Sequence, residues 1–429
     1  VWLIVMIAIR IPIAYSMILV GGVGVTVLDG PAIFMSQLKD LAYSQFSIYD
    51  LSVVPMFVLM GNVATRAGLS QDLFRAANAW LGWMRGGVAM AAIAACAGFG
   101  SVCGSSLATA STMGRVALPE LSRYNYNGSL ATGTLAAGGV LGILIPPSVV
   151  LVIYAIIVEA NIVTMFMAAF IPGLIAVLFF MTTIFVYVTL KPESGPPGDA
   201  VSRKEFIQAT MRVGPVLAIF GMVIGGIYLG FFNPTPAAAI GVFLVTVYGV
   251  ARGAVRLPDM RIALLDTAKT TGMIYLILLG AEMLKIFMSR GGVPQAAAEM
   301  MATSGLAPIT ILILLLIALI ILGCLMDSLS MILLAIPFFW PVIAELDFGM
   351  GPEELKIWFG ILALIVVELG LITPPVGMNV FVISAMAKDV PMRETFIGVM
   401  PFFLAELFRV ALLVSFPAIA LWLPRLLSG

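Results

Sequence analysis

The stretch LGILIPP, residues 141–147, returns as LGLITPP at residues 369–375, 228 positions later. A proline has no amide N–H and its ring clashes with the turn before it, so two in a row break a helix. Both pairs stand inside long apolar runs, so the chain builds one helix break twice.

The apolar setting is general. Of 429 residues, 62% are hydrophobic and 10% charged, with a mean hydropathy of +1.13; soluble domains are about 45–50% apolar and about 25% charged. The chain reads as an all-α polytopic membrane protein. At about 20 residues per crossing it has length for about a dozen spans. A formal net charge of zero leaves no basic footprint for nucleic acid. Cys96, Cys103 and Cys324 lack CxxC spacing and read as small buried residues. The opening VWLIVMIAIRIP has no initiator Met, and its apolar run, which continues to Val27, is expected to be a helix whose beginning is missing.

Apolar runs predict segments near 13–28, 53–65, 86–114, 128–158, 164–190, 213–231, 236–251, 272–288, 306–345, 357–387 and 396–424. The longest exceed one simple crossing, so each is expected to be bent, broken or folded back. Basic residues orient them. With KPESGPPGDAVSRKEF (191–206) cytoplasmic, and runs 86–114 and 306–345 entering and returning, fifteen Lys and Arg face the cytoplasm and four the other side.

The repeat is longer than one phrase. RAGLSQ at 66–71 resembles RGGVPQ at 290–295, Ser105 and Ser106 align with Asp327 and Ser328, Pro119 with Pro341, and Pro172 with Pro401. These anchors indicate two copies of one unit, about 53–190 and 266–424. They divide the chain into 1–52, 53–190, 191–265 and 266–429. In the orientation above Arg66 is cytoplasmic and Arg290 outside, so the copies are inverted. Inverted repeats with discontinuous helices characterise secondary transporters.

A helix broken at Pro146 and Pro147 leaves carbonyls at one end and N–H groups at the other, with about half a charge at each. Within a membrane such groups must line a cavity or bind something. Cations suit the carbonyls and anions the N–H groups. Opposite the breaks lie GSVCGSSLATAST (100–112) and DSLS (327–330). Gly100, Ser101 and Ser111 suit close helix packing. Ser105, Ser106 and Asp327 point to function, because a lone buried Asp costs roughly 2.5–3.5 kcal/mol at the bilayer centre unless paired. A bound cation would supply the missing charge. Of the other acids, Glu159 is expected to end a helix, Glu282 to pair with Lys285 or Lys269, and Glu368 stands between structural and functional roles.

These motifs, with IPIAY at 11–15, PMFVLMGNVATRAG at 55–68, CGSSLATASTMGRVALPEL at 103–121, FIPG at 170–173 and PFF at 401–403, resemble the large, DctM-like membrane subunit of the tripartite ATP-independent periplasmic (TRAP) transporters. The resemblance covers nearly the whole chain. It implies an inverted-repeat elevator-type transporter with two re-entrant hairpins and two Pro-Pro-broken helices in the bacterial inner membrane. It also implies sodium symport of a carboxylate-bearing solute, with sodium as coupling ion and no cofactor. The implied partners are a periplasmic solute-binding protein and a separate small membrane subunit of four helices. Carried over by position, sodium would contact Gly104, Ser105, Pro146, Asp327, Ser328, Thr373, Pro374 and Gly377. The solute would contact Ser105, Ser106, Pro147, Ser148, Pro375 and Asn379. One departure is FFNPTPAAAI (231–240), where Pro236 takes the acid position of the family's usual TPTEAAA.

Rival classes lack their residues. No Gly-Lys dipeptide occurs, so a P-loop is absent, as is the TVGYG filter of a potassium channel. With no histidine, Ser-His catalysis and His-ligated zinc are excluded. A stand-alone ion-coupled anion symporter is the alternative within the transporter class. A C4-dicarboxylate, a sugar acid and a keto acid all satisfy the pattern.

Overall fold

A computed structural model describes residues 2–9, 11–199, 201–293, 295–296 and 305–427, and all regular structure among them is helical. Pro294, inside the RGGVPQ anchor, lies outside the described residues, as does Arg10. Helices follow the apolar runs; several run through single prolines, as at Pro119, Pro172, Pro341 and Pro401, and the hairpins and double-proline motifs interrupt them. Run 86–114 becomes Gly87–Cys103 and Ser106–Arg123, and run 306–345 becomes Pro308–Gly323 and Ser328–Ala344. Run 128–158 is Gly128–Leu144 and Val149–Ile157, bent by 48°. Run 357–387 is Pro352–Gly370 and Met378–Met386. A long helix closes each series, Ile162–Leu190 and Met392–Ser415. The same order, a helical hairpin, a broken helix and a long helix, thus occurs twice.

Among the described residues five helices are long and apolar enough to span a membrane, or seven counting each bent pair as one. The dozen estimated from length assumed uninterrupted runs, whereas hairpin arms such as Pro308–Gly323 stop at 16 residues. Polar helical residues also escaped the hydropathy pattern. Leu69–Leu81 buries Leu73, Phe74 and Ala77 and exposes Gln71 and Arg75, so its apolar stripe is too narrow to read as a span. The 191–206 loop is shorter than expected, because helix Arg203–Tyr228 starts at a capping box. There the Ser202 N–H donates to the Glu205 carboxylate at 3.0 Å and the Glu205 N–H donates to Ser202 Oγ at 3.3 Å. Pro234 and Pro236 fall in the first turn of Pro234–Ala251, where a missing N–H breaks no helical bond.

Glycines set the crossing of hairpin and broken helix in both series. A Cβ on Gly100 would stand 3.0 Å from Gly142 N and 3.3 Å from Leu141 O, and one on Gly370 would stand 2.6 Å from Gly323 C. Gly142 and Gly370 are the glycines of the recurrent LG, so the repeated phrase serves packing as well as the break. The small-residue interpretation of Gly100 holds on this geometry. Gly370→Ala is expected to cost about 1–3 kcal/mol by overpacking, read as a lower detergent-solubilised melting temperature. An unchanged melting temperature would show that the crossing tolerates a methyl group.

Polar ties bind the series together. Tyr154 Oη donates to the Lys356 carbonyl at 2.8 Å and Trp358 Nε1 to that of Leu413 at 2.9 Å. Arg409 is fully buried, donating Nε to Glu406 at 3.0 Å and Nη1 to the Pro172 carbonyl at 2.9 Å. Glu282 pairs with Lys285 at 3.5 Å.

Candidate functional site

Both hairpin tips are helix starts capped by their own side chains. At the first, Gly104 turns the chain at φ +63°, a left-handed conformation that glycine adopts without Cβ strain, and its N–H reaches the Gly100 carbonyl at 2.7 Å. Ser105 then accepts from the Ala108 N–H at 3.4 Å as N-cap. At the second tip, Asp327 accepts from the Ser330 N–H at 3.2 Å and from the Ser330 hydroxyl at 2.6 Å. The lone Asp therefore has two local donors, both neutral, and among the described residues no ion pair.

Between the tips stands Glu368, two residues before the glycine of the second LGLITPP. It is fully buried, and its two carboxylate oxygens accept separately from the hydroxyls of Ser106 and Ser328. Ser106 and Ser328 begin Ser106–Arg123 and Ser328–Ala344, so one side chain ties both tips to the second broken helix. The corresponding position in the first LGILIPP is Val140.

Next to this tie lies a cavity of about 380 Å³. Gly104, Ser105, Ser106, Asp327 and Ser328 line it from the tips. Asn62, on Val53–Arg66, and Thr270, on Leu257–Arg290, line it from the other side. Asn62 Nδ2 donates to Thr267 Oγ1 at 2.9 Å, joining those two helices. Two helix N-termini thus open on one space, the first presenting unpaired N–H groups and about half a positive charge, the second faced by its own Asp327 carboxylate. Among the described residues no three of His, Cys, Asp and Glu gather as a metal cluster. A cation held here would meet hydroxyls, carbonyls and isolated carboxylates, a donor set suited to a hard ion.

The remaining sequence candidates sit behind or beside the cavity. Pro146, Pro147 and Ser148 are buried at the first break, where Ser148 accepts from the Leu151 N–H at 3.4 Å. They touch the site through the tip: a Cβ on Gly104 would lie 3.5 Å from the Pro147 carbonyl. Thr373 donates to the Leu369 carbonyl at 2.6 Å, and Gly377 turns at φ +58° before Met378–Met386. Pro374 and Pro375 are exposed. Asn379 is buried and donates to the Ala136 carbonyl at 3.3 Å, while its Oδ1 has no partner. Asn62 and Thr270 were not among the sequence candidates. A single amide within PMFVLMGNVATRAG was the available signal for Asn62; nothing marked Thr270 apart from its neighbours.

The family model described as "Tripartite ATP-independent periplasmic transporter, DctM component" matches residues 1–419. A C4-dicarboxylate TRAP transporter large permease protein, DctM, of Pseudomonas aeruginosa is 34% identical over 89% of this chain and 87% of its own length. A sialic acid TRAP transporter large permease, SiaM, of Vibrio cholerae is 31% identical, covering 89% of this chain and 87% of that protein. In fold, the chain is similar to the YdaH transporter of Alcanivorax borkumensis, with a TM-score of 0.66 at 13% identity over 90% of this chain and 88% of that one. It is also similar to MtrF of Neisseria gonorrhoeae, with a TM-score of 0.55 at 15% identity over 91% and 85%.

Proposed function

The chain belongs to the DctM family of TRAP transporter large permease subunits, and from that premise we propose sodium-driven import of a carboxylate-bearing solute through the cavity between the hairpin tips. It is a multi-pass membrane transporter subunit working with a periplasmic binding protein, not an enzyme. The observation that carries the fuller reading is the Glu368 tie. A sodium ion near one tip would change the electrostatics of a carboxylate held equally by the other, which gives ion and solute sites a physical link.

The helix N-terminus at Ser106, capped by a neutral serine, favours an anionic solute group, while the Asp327 carboxylate at the other tip suits the sodium ion. The names of the relatives specify C4-dicarboxylates and sialic acid, both carboxylates. In this reading units 53–190 and 266–424 are inverted copies, their hairpins re-enter the bilayer, and the hairpins and broken helices move together as an elevator. The membrane is the bacterial inner membrane, and a small four-helix subunit completes the scaffold.

Proteoliposomes holding this chain, its small subunit and its binding protein are expected to accumulate labelled succinate, the first probe, along a sodium gradient. Replacing sodium by choline at fixed membrane potential should abolish accumulation, and unchanged uptake would remove sodium from the account. Robust uptake by the large subunit alone would instead support a stand-alone symporter.

A further inference from the structure

A second cavity, of about 510 Å³, lies away from the hairpin tips, between Leu69–Leu81, the far end of Ser106–Arg123 and the start of Arg203–Tyr228. Arg75, Arg115 and Arg123 line it together with Glu120 and Glu205. The acids are already engaged. Glu205 accepts from Ser202 N and Oγ at 3.0 and 2.7 Å, and Glu120 lies 3.5 Å from Arg123. Among the described residues Arg75 and Arg115 have neither a hydrogen bond nor an ion pair, so two guanidinium groups from different helices are free to serve one anion. An arginine fork grips the oxygens of a phosphate or a carboxylate bidentately.

The depth of the cavity narrows the ligand. Trp80 and Trp83 stand exposed at the end of the helix that carries Arg75, and Trp80 Nε1 donates to Thr210 on the opposite wall helix at 2.9 Å. Such tryptophans mark the headgroup level of a bilayer. The positive-inside orientation puts this end on the cytoplasmic face, whose leaflet carries anionic lipid. We propose that this cavity binds the phosphodiester headgroup of an anionic phospholipid. Arg75 and Arg115 hold its phosphodiester. Because the walls come from a hairpin arm and from helices that flank it, the lipid would brace the hairpin from its cytoplasmic end.

The test is lipid add-back to the delipidated, detergent-solubilised full chain, followed by its melting temperature. Phosphatidylglycerol is expected to raise it saturably. Phosphatidylcholine with the same acyl chains should not, nor should millimolar glycerol-1-phosphate. Arg75→Gln with Arg115→Gln should shift the midpoint at least tenfold, and Arg75→Gln alone by less, while Arg425→Gln, at a distant surface ion pair, leaves it unchanged. An equal response to phosphatidylcholine, or an unaltered midpoint in the double variant, overturns the proposal. A matching response to glycerol-1-phosphate reassigns the site to a soluble anion and overturns the lipid assignment.

Discussion

Glu368→Ala is expected to reduce sodium-driven uptake by about a hundredfold. The side chain is the shared acceptor of Ser106 and Ser328, both nearly inaccessible to solvent. Its loss strands two buried hydroxyls, at about 1–3 kcal/mol each. About 3 kcal/mol charged against the arrangement with both tips docked corresponds to about two factors of ten at 1.4 kcal/mol per tenfold change. Glu368→Gln separates geometry from charge. A glutamine can accept from one serine with its carbonyl and donate to the other's oxygen with its amide, since a hydroxyl is both donor and acceptor. That variant should melt close to the parent yet need about tenfold more sodium for half-maximal uptake, the size of a lost charge-assisted contact of roughly 1.4 kcal/mol. Uptake by a well-folded Glu368→Ala at the parent rate would dispose of the tie. Identical sodium dependence of Glu368→Gln would dispose of the charge.

The all-helical membrane fold was legible because bilayer length, hydropathy and proline chemistry act locally on the sequence. The breaks at 146–147 and 374–375 belong to that local class, whereas the caps at Ser105 and Asp327 emerge only with the helix starts they serve. What connects them is not local. Ser106 and Glu368 are 262 residues apart, and no periodicity relates a serine in one hairpin to a glutamate in the other broken helix. The sequence left Glu368 undecided because an acid in an apolar run marks burial without naming its partner. Asp327 reads as a cation site from its charge alone; that Ser330, three residues on in DSLS, also donates to it comes into view only with the helix start. The LG of the repeated phrase was passed over because a packing glycine announces itself only when the opposite backbone, at Gly100 or Gly323, is in view. Leu69–Leu81 and the polar start of Leu257–Arg290 were missed because hydropathy detects spans rather than helices.

The proline breaks give the other large effect, and the structure makes it unequal. Among the described residues no backbone hydrogen bond crosses the first break, and Ile145 is extended at φ −100°, ψ 119° between buried neighbours. The second break is partly closed: the Thr373 N–H donates to the Gly370 carbonyl and the Asn379 N–H to that of Leu371, each at 3.0 Å, while Pro374 and Pro375 face outward. Replacing Pro146 and Pro147 by Ala restores two N–H donors and removes a helix penalty of about 3 kcal/mol per residue. Gly128–Leu144 can then run on through the break, carrying its carbonyls away from the tip at Gly104. Folded yield and melting temperature should hold or rise while sodium-driven uptake falls to near background. The Pro374→Ala, Pro375→Ala pair should lose less, because two of the carbonyls it would re-engage already have partners. Measuring melting temperature and uptake on the same preparations separates a lost site from a lost fold. Full uptake by a well-folded Pro146→Ala, Pro147→Ala protein would mean that the first break shapes packing only, and the carbonyls it frees take no part in transport.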